Sequence, residues 1–557
     1  MPPPPAEPVF SPLPLLQLAL ATITQAQMGT LHDRTVDTQS PPARESGSIA
    51  SRPTGSAPIS DFKRMAPKVV AALALTMVAA VACGGGSVGG GAHGGAGGQT
   101  ATGAAGAAGG ATGGAAAGDA GATGGASAPG GAGPAGSTGG GGTAGTGTGG
   151  SVPVPGGCSQ APTPAAGATV IDVRAPATLA SALATAKAGD RIVLHAGTYA
   201  METISNRKFA SFVFIEAAAG DQVTMAGAKF TSSDHLSFRD IQFTATVMLD
   251  GSSNFAFHGV TLDGGATEEA ALQIHGQSSA GASHDVLVED STIKGGGRTI
   301  FILGKFAPSD TWNHHLTFAR DDITCGSHNC FQISGGRDIA IDGNRINGTT
   351  TAGVLTAGAT RVAITRNRMK GMAGKPPCAT QIASPGMEWD NYAGVENMIS
   401  SAILIANNVV DGWGSAVQLD AARDVAIVHN TVADGTGVRF NHRVPHDQAG
   451  NVILNGNTDI RIWNDILPSI SLATGEANPA FEAYNVIWKG GGGGANDVTT
   501  APTFAGADYG LAAGSAGIDA ALVNAETPLV DFENRPRGPK PDIGAHELGA
   551  PAPTACP

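Results

Sequence analysis

Nine short segments in the body of the chain repeat one pattern of apolar and polar positions: HLSFRDIQF (235–243), FAFHGVTLDG (255–264), VLVEDSTIKG (286–295), LTFARDDITC (316–325), IAIDGNRING (339–348), VAITRNRMKG (362–371), ILIANNVVDG (403–412), VAIVHNTVADG (425–435) and IRIWNDILPS (460–469). The shared template is apolar-x-apolar-x-x-Asn-x-apolar, often closing on Gly. Alternation with period two predicts a strand with one buried side, and the Asn and Gly then turn the chain. A second short strand follows in several repeats, as ALQI (271–274), IFIL (300–303), CFQI (330–333), AVQL (416–419) and GVRF (437–440). Segment starts lie 20 to 31 residues apart, widening to 41 after Val362 and to 35 after Val425, which marks insertions.

No segment of helical period separates these strands, so the repeat predicts stacked coils of an all-β parallel β-helix and not βαβ units. About a dozen coils spaced ~4.8 Å apart make a rod of roughly 55–60 Å. Its open edge must be covered. The segment ATLASALATAKAGDRIVLHAGTY (177–199) reads as a short amphipathic helix, a turn and a first strand, forming an N-terminal cap. Asn344, Asn367, Asn408 and Asn430 share one template position, with Asp465 in register after them and Ser291 and Asp321 before. Stacked at a corner, such side chains hydrogen-bond along the rod, so a structural role is expected of them and not a ligand row.

Composition changes the picture ahead of the repeats. Of 82 Gly in 557 residues, 34 fall between 84 and 157 among Ala, Thr and Ser, a stretch that cannot bury a core and is expected to be a disordered linker. As a random tether its mean reach is roughly 45–50 Å. Before it, KRMAPKVVAALALTMVAAVACGGG places a basic stub and an apolar run (Val69–Ala82) ahead of Cys83. That layout over 65–83 reads as a signal peptide, its apolar run too short to span a bilayer. Residues Ala80 to Cys83 resemble the lipobox of bacterial lipoproteins, which implies lipidation at Cys83. Residues 1–64 open on MPPPPAEP and read as a non-structural extension or a misassigned start, with translation from Met65. The β-helix is expected over 158–549, including a C-terminal cap segment at 509–549, with 550–557 as a tail. The expected setting is an exported monomer, an outer-membrane or cell-surface lipoprotein or a secreted protein, touching a membrane only through its lipid.

The opening of the body, from Leu179 to Asp263, resembles right-handed parallel β-helix proteins that include alginate- and chondroitin-degrading lyases. The closing stretch 509–549, with GSAGIDA, DFENRPRG and PDIGAHE, resembles the choice-of-anchor Q segment of bacterial secreted β-helix proteins. These resemblances imply a surface or secreted right-handed β-helix. They do not select a reaction, because the fold hosts lyases, hydrolases, epimerases and members with no known activity.

Charge narrows the partner. The net −13 falls entirely on 158–557, a field that repels nucleic acid. Against it, 343–387 contains no acid but carries Arg345, Arg361, Arg366, Arg368, Lys370 and Lys375. That points to an anionic ligand such as a uronate polysaccharide, whose carboxylates Arg binds bidentately. Elimination from a uronate needs a cation at the carboxylate, a base for the C5 proton and an acid for the leaving oxygen. The catalytic candidates are Lys375, Arg366, His328, Tyr392, Arg443 and His446, and the substrate-binding candidates are Arg345, Arg368, Trp389, Asp390, Arg439 and His442. Trp389 and Tyr392 sit in the insertion 371–400, where aromatic rings beside charges suit sugar stacking. The second insertion, 440–450, follows a nearby coil, so the two are expected to flank one groove. The alternative is a non-catalytic envelope or adhesin-like glycan binder. No cofactor is required; if one is used it is Ca2+, through Asp250, Asp263, Glu268 and Glu269. Cys325 with Cys330 and Cys158 with Cys556 are the candidate disulfides of an exported chain.

Overall fold

The computed structural model describes residues 160–553 apart from 267–268, 277–280, 305–311, 349–350, 372–377, 384–398, 447–449 and 492. The expected segments 1–64, 65–83 and 84–157, Cys83 among them, lie outside the described residues. The body is a right-handed parallel β-helix. Face 1 carries the first strand of each repeat, including Asp234–Arg239, Ser253–His258, His284–Glu289, Asn313–Ala319, Ser401–Ala406, Arg423–Val428 and Thr458–Trp463. Face 2 is a sheet of 12 parallel strands running from Gly197–Tyr199 to Val486–Ile487. Face 3 carries the second strands, among them Ala270–His275, Arg298–Leu303, Cys378–Ala383, Ser415–Asp420 and Thr436–Asn441. Two longer strands, Phe331–Asp342 and Ala352–Thr365, run from face 3 into the next face 1 and pass the corner at Gly335 and Gly358, both in the left-handed region (φ 76° and 71°).

The repeat template is the register of face 1. Leu236, Phe255, Val286, Leu316, Ile339, Val362, Ile403, Val425 and Ile460 are successive Cα partners, and all are buried. Each buries its side chain against the same column of the next coil, which is why a single period-two pattern recurs at coil spacing. Aromatic rings fill the N-terminal coils: Phe238 stacks on Phe257 with centroids 5.3 Å apart, and Phe230 meets Phe255 edge-on at 5.1 Å.

From Asp240 onward every connection from face 1 to face 2 is two residues long. The first residue is left-handed throughout, at Asp240, Gly259, Asp290, Arg320, Gly343, Arg366, Asn407, His429, Asn464 and Tyr484. The second turns inward and builds the expected amide ladder. Asn344 N donates to Asn367 Oδ1 (3.0 Å), Asn367 N to Asn408 Oδ1 (2.9 Å) and Asn408 N to Asn430 Oδ1 (3.0 Å). Ser291 and Asp321 extend the ladder on one side, Asp465 and Asn485 on the other. Each Asn Nδ2 also reaches a carbonyl of the preceding coil, as Asn408 does with Ile364 O at 2.8 Å. These amides are buried and fully paired, so the structural role holds.

The N-terminal helix spans Leu179–Leu183, buries Leu179, Ala182 and Leu183, and is capped by Thr178 Oγ1 accepting from Ser181 N. Glu202 completes the cap by accepting from Leu179 N (2.6 Å) and Ala180 N (2.8 Å), which suits a carboxylate at a helix start. A strand unread in the sequence, Val170–Val173, precedes this helix and pairs with Arg191–Leu194. The C-terminal segment runs back along the corner between faces 1 and 2. Asn464 exchanges hydrogen bonds with Leu522, His429 meets Gly544 O (3.2 Å), Asn407 Nδ2 donates to Val530 O (2.8 Å), and Arg366 Nη1 donates to Asn534 Oδ1 (2.7 Å). It straps four coils together. Cys325 and Cys330 form the expected disulfide; Cys158 and Cys556 lie outside the described residues.

Candidate functional site

From Asp240 onward, length variation in this rod is confined to the two borders of face 3. On the side leading back to face 1, some connections are two residues, such as 251–252 and 421–422, while others lengthen to 276–283, 304–312, 384–400 and 442–457. On the side arriving from face 2, 264–269, 325–330 and 371–377 are the long ones. Loops carried on a rigid scaffold are where binding residues concentrate. The outer surface of face 3, from whose borders the inserted connections leave, is therefore the candidate binding surface.

That surface, the floor of the candidate site, is polar and ordered by register. Gln332, Leu355, Gln381, Gln418 and Arg439 are successive Cα partners, and Ser334, Ala357, Ala383, Asp420 and Asn441 form the neighbouring column. Asp420 gathers three amide donors: Gln381 Nε2 at 2.8 Å and Gln418 Nε2 at 3.0 Å on Oδ2, and Asn441 Nδ2 at 2.8 Å on Oδ1. Gln381, Gln418 and Asp420 are 2–4% exposed, so this network is held in place. Arg439 stands on the same column, half-buried and with no acidic partner among the described residues. Just past the strand end, His442 Nδ1 meets Glu476 Oε1 at 2.9 Å, and the buried Glu476 also accepts from Asn457 N (3.0 Å) and Nδ2 (2.9 Å). With Nδ1–H donated to Glu476, the neutral ring leaves Nε2 as an acceptor.

Further along the floor, Gln332 Oε1 accepts from Arg298 Nε (2.5 Å) and Asn329 Nδ2 (3.2 Å). The Arg298 guanidinium lies 4.6 Å over the Phe301 ring and pairs with Glu269 at 3.1 Å. Burial lowers its pKa, and the charge of Glu269 opposes that shift. His328 is half-buried in the loop closed by the Cys325–Cys330 disulfide, beside this cluster on the border arriving from face 2.

The structure distributes the sequence-predicted residues over the rod. Arg439, His442, Arg443 and His446 come together at the end of one face 3 strand and in the connection that leaves it. Arg345 and Arg368 are Cα partners on face 2, where Arg368 is bonded to Asp508 and to Ala507 O. Arg366 occupies the tight corner, 5% exposed, with Nε 2.9 Å from Asp342 Oδ1 and Nη1 on Asn534, so it clamps the C-terminal strap. Arg361 pairs with Asp338 at 2.6 Å on face 1. The basic window is thus three surfaces and not one patch, because a repeat of about 23 residues returns neighbouring charges to different faces. Lys375, Trp389, Asp390 and Tyr392 lie outside the described residues, although Ala383 and Ser400 set both ends of the longer insertion at the border of face 3. The two insertions leave that same border, two coils apart.

The acids considered for calcium do not converge. Asp250 is on face 3, Asp263 on face 2 pairs with Lys294 at 3.2 Å, Glu269 holds Arg298, and Glu268 lies outside the described residues. One other group, His258, Glu289 and Asp290, clusters closely enough for a cation, but Arg320 binds Glu289 and Asp290, each at 2.8 Å, and Glu289 also accepts from Gln160 N and Ala161 N. Those charges are already compensated.

Sequence reasoning missed Gln332, Gln381, Gln418, Asp420 and Asn441. A signal for the glutamines was there: ALQI, CFQI, ATQI and AVQL place Gln273, Gln332, Gln381 and Gln418 at the third position of the second strand. Repetition at an outward position marks a designed surface as clearly as repetition at an inward one marks a core.

No protein-family model matches the chain, and no curated protein matches it in sequence. Among solved structures it is similar to the PL6-family alginate lyase AlyGC, with 13% identity and a TM-score of 0.40 over 62% of this chain and 55% of that one. It is also similar to the A-module of the Azotobacter vinelandii mannuronan C-5 epimerase AlgE6, with 13% identity and a TM-score of 0.35 over 55% of this chain and 89% of that one. A third is the Streptococcus pneumoniae surface protein and adhesin PfbA, with 13% identity and a TM-score of 0.35 over 53% and 94% of the two chains. The chain spans about half the length of the alginate lyase.

Proposed function

We propose that this protein is an exported, surface-anchored β-helix that binds an acidic polysaccharide along face 3 and acts on it as a uronate lyase or epimerase. The observation that carries the reading is Arg439: a half-buried guanidinium without an acidic partner among the described residues, in register with a fixed row of glutamine amides. An unpaired cation on a polar floor suits the carboxylate of a uronate, and the buried amide network beside it holds that floor in place. In this reading Arg439 neutralises the sugar carboxylate, which acidifies the C5–H bond. His442, oriented by Glu476, takes the C5 proton at Nε2. The electron pair then forms the C4–C5 double bond as O4 departs and is protonated by Arg443, His446, Tyr392 or Lys375, each beside or within an inserted loop. Epimerisation would share the first step and return a proton to the opposite side of C5.

The test is to incubate the protein with alginate, pectate, chondroitin and hyaluronan, with and without calcium, and follow the ultraviolet absorbance of an unsaturated uronate. An absorbance rise with one polymer, abolished in His442→Gln and weakened in both kcat and KM in Arg439→Ala, is the expected result. Retention of a polymer in affinity electrophoresis without any rise, and without proton exchange at C5 by NMR, would replace catalysis with glycan binding alone. No retention of any of the four would remove the acidic-glycan reading.

A further inference from the structure

A second chemical cluster lies on the outer surface of face 1, away from face 3. His284 and His314 are Cα partners in adjacent coils, and their rings stack nearly parallel with centroids 4.9 Å apart. Asp285 and His315 follow them at equivalent left-handed positions, φ 53° and 54°. The register therefore brings three imidazoles and a carboxylate together on strands and without recourse to a loop. All remain reachable from solvent: the His284, Asp285 and His315 side chains are 33–36% exposed.

The donor atoms form a short chain. His314 Nδ1 lies 3.1 Å from His315 Nδ1, and His315 Nδ1 lies 3.2 Å from Asp285 Oδ1. Two ligands on one divalent transition metal, each at about 2.0–2.1 Å with tetrahedral or octahedral angles, are themselves roughly 2.9–3.4 Å apart. Both steps fall in that interval, whereas His314 and Asp285, the two ends of that short chain, are not drawn together around one point as the side chains stand. His284 Nδ1 holds the other oxygen, Asp285 Oδ2, at 2.7 Å, and Asp338 lies 4.0 Å from His315 Nε2. An imidazole placed on the outer oxygen of a carboxylate, as His284 is, orients an inner ligand of a metal site, while Asp338 stands beyond hydrogen-bond distance. Asp338 is itself fixed by Arg361 at 2.6 Å and by Arg337 at 3.1 Å, so it is a neighbour of the set and not a competing ligand. The contrast with His258, Glu289 and Asp290 is chemical: there an arginine binds both acids, whereas no guanidinium is bonded to Asp285 in the described structure.

We infer that His314, His315 and Asp285, with His284 as the orienting partner, form a binding site for a borderline divalent metal of the zinc, nickel or copper type. Nitrogen-rich donor sets select such ions over calcium and magnesium. Closing the three donors around one ion requires rotation of the side chains about their own bonds while the strands stay as they are.

Isothermal titration of the EDTA-treated, dialysed full chain with zinc chloride and with nickel chloride tests this. One high-affinity equivalent per chain is expected, weakened at least tenfold in the double variant His314→Gln, His315→Gln and unchanged in His258→Gln. Zinc should raise the melting temperature of the parent protein and leave that of the double variant unmoved, provided the two melt alike in EDTA. If the double variant has already lost stability in EDTA, His284→Ala supplies the reading, with a several-fold loss of affinity. No binding by the parent protein, binding unaffected by these substitutions, or calcium binding as tightly as zinc would each overturn the assignment. Glycan retention is measured separately and has no bearing on the outcome.

Discussion

Asn408 and Gln418 are amides of the same coil, ten residues apart and almost equally buried, yet they belong to opposite kinds of surface. Asn408 sits at the corner between faces 1 and 2, where every connection from Asp240 onward is two residues long. Its neighbours above and below, Asn367 and Asn430, take its hydrogen bonds, and the corner repeats with no room for variation. Gln418 sits on face 3, whose borders carry all the long insertions beyond that point. Its partner is a carboxylate, Asp420, shared with Gln381 and Asn441. One corner satisfies backbone groups and specifies the stack; the other face carries a side-chain network bordered by connections of varied length. Invariant geometry belongs to the fold, and varied geometry on a fixed floor belongs to function.

The sharpest way to break that comparison is to remove the corner amide. Asn408→Ala leaves the Asn367 N–H (2.9 Å) and the Ile364 carbonyl without their side-chain partner inside a buried corner, and removes one of the two Asn367 Nδ2 bonds while that to Ile341 O stays. At ~1–3 kcal/mol for each orphaned group, a loss of about 3–5 kcal/mol is expected. Chemical denaturation followed by circular dichroism measures it. A loss under ~1 kcal/mol would mean that water enters the corner and that the ladder is not what fixes the stack.

Next in size is a substitution that completes the ladder. Asp465 accepts from Asn430 N and Nδ2 on Oδ1, but its buried Oδ2 has no hydrogen-bond partner. Burial pushes its pKa up to about 8, against an ordinary value of ~3.9. The folded state therefore favours the protonated acid: the stability it contributes is complete below about pH 4 and is lost as pH rises through 8. Asp321, also buried and shifted upward by desolvation, acts in the same direction. Asp465→Asn supplies an Nδ2 at that place which, by the register of the other rungs, reaches Ile427 O. Its expected effect is a gain of a few kcal/mol at pH 8 that shrinks toward zero by pH 4. Denaturation midpoints of parent and variant at pH 4.5 and pH 8 give the difference; a gain of equal size at both would remove titration as its cause.

The corner was legible in the sequence because its demands are local and repeat identically. Leu236 through Ile460 reproduce the template at each coil, and Asn344 through Asp465 mark the turn. The candidate site was only half legible. Arg439 and His442 stood out by type and by the insertion beside them, but the flat charge count over 343–387 merged Arg345, Arg366 and Arg368, which the coil period sends to other surfaces. Asp420 carried no signal of its own, since its partners come from three different coils. The first strand, Val170–Val173, was missed because a single strand before the cap has no repeat to announce it.

The smallest expected effect on stability is the one that ties the floor to its function. Gln418→Ala removes one of three donors from Asp420 and leaves Gln381 and Asn441 in place. A carboxylate that keeps two amide partners stays satisfied, so the loss is expected to be about 1 kcal/mol, a third or less of that at Asn408. Retention of acidic polysaccharide in low-salt affinity electrophoresis should fall several-fold, because Gln418 lies in register between Gln381 and Arg439 and its amide helps keep that row level. The corner variant Asn408→Ala, compared below its own unfolding transition, should keep that retention. If the two variants instead lose stability and binding in the same proportion, face 3 is only another wall of the rod, and the division between a specifying corner and a working face fails.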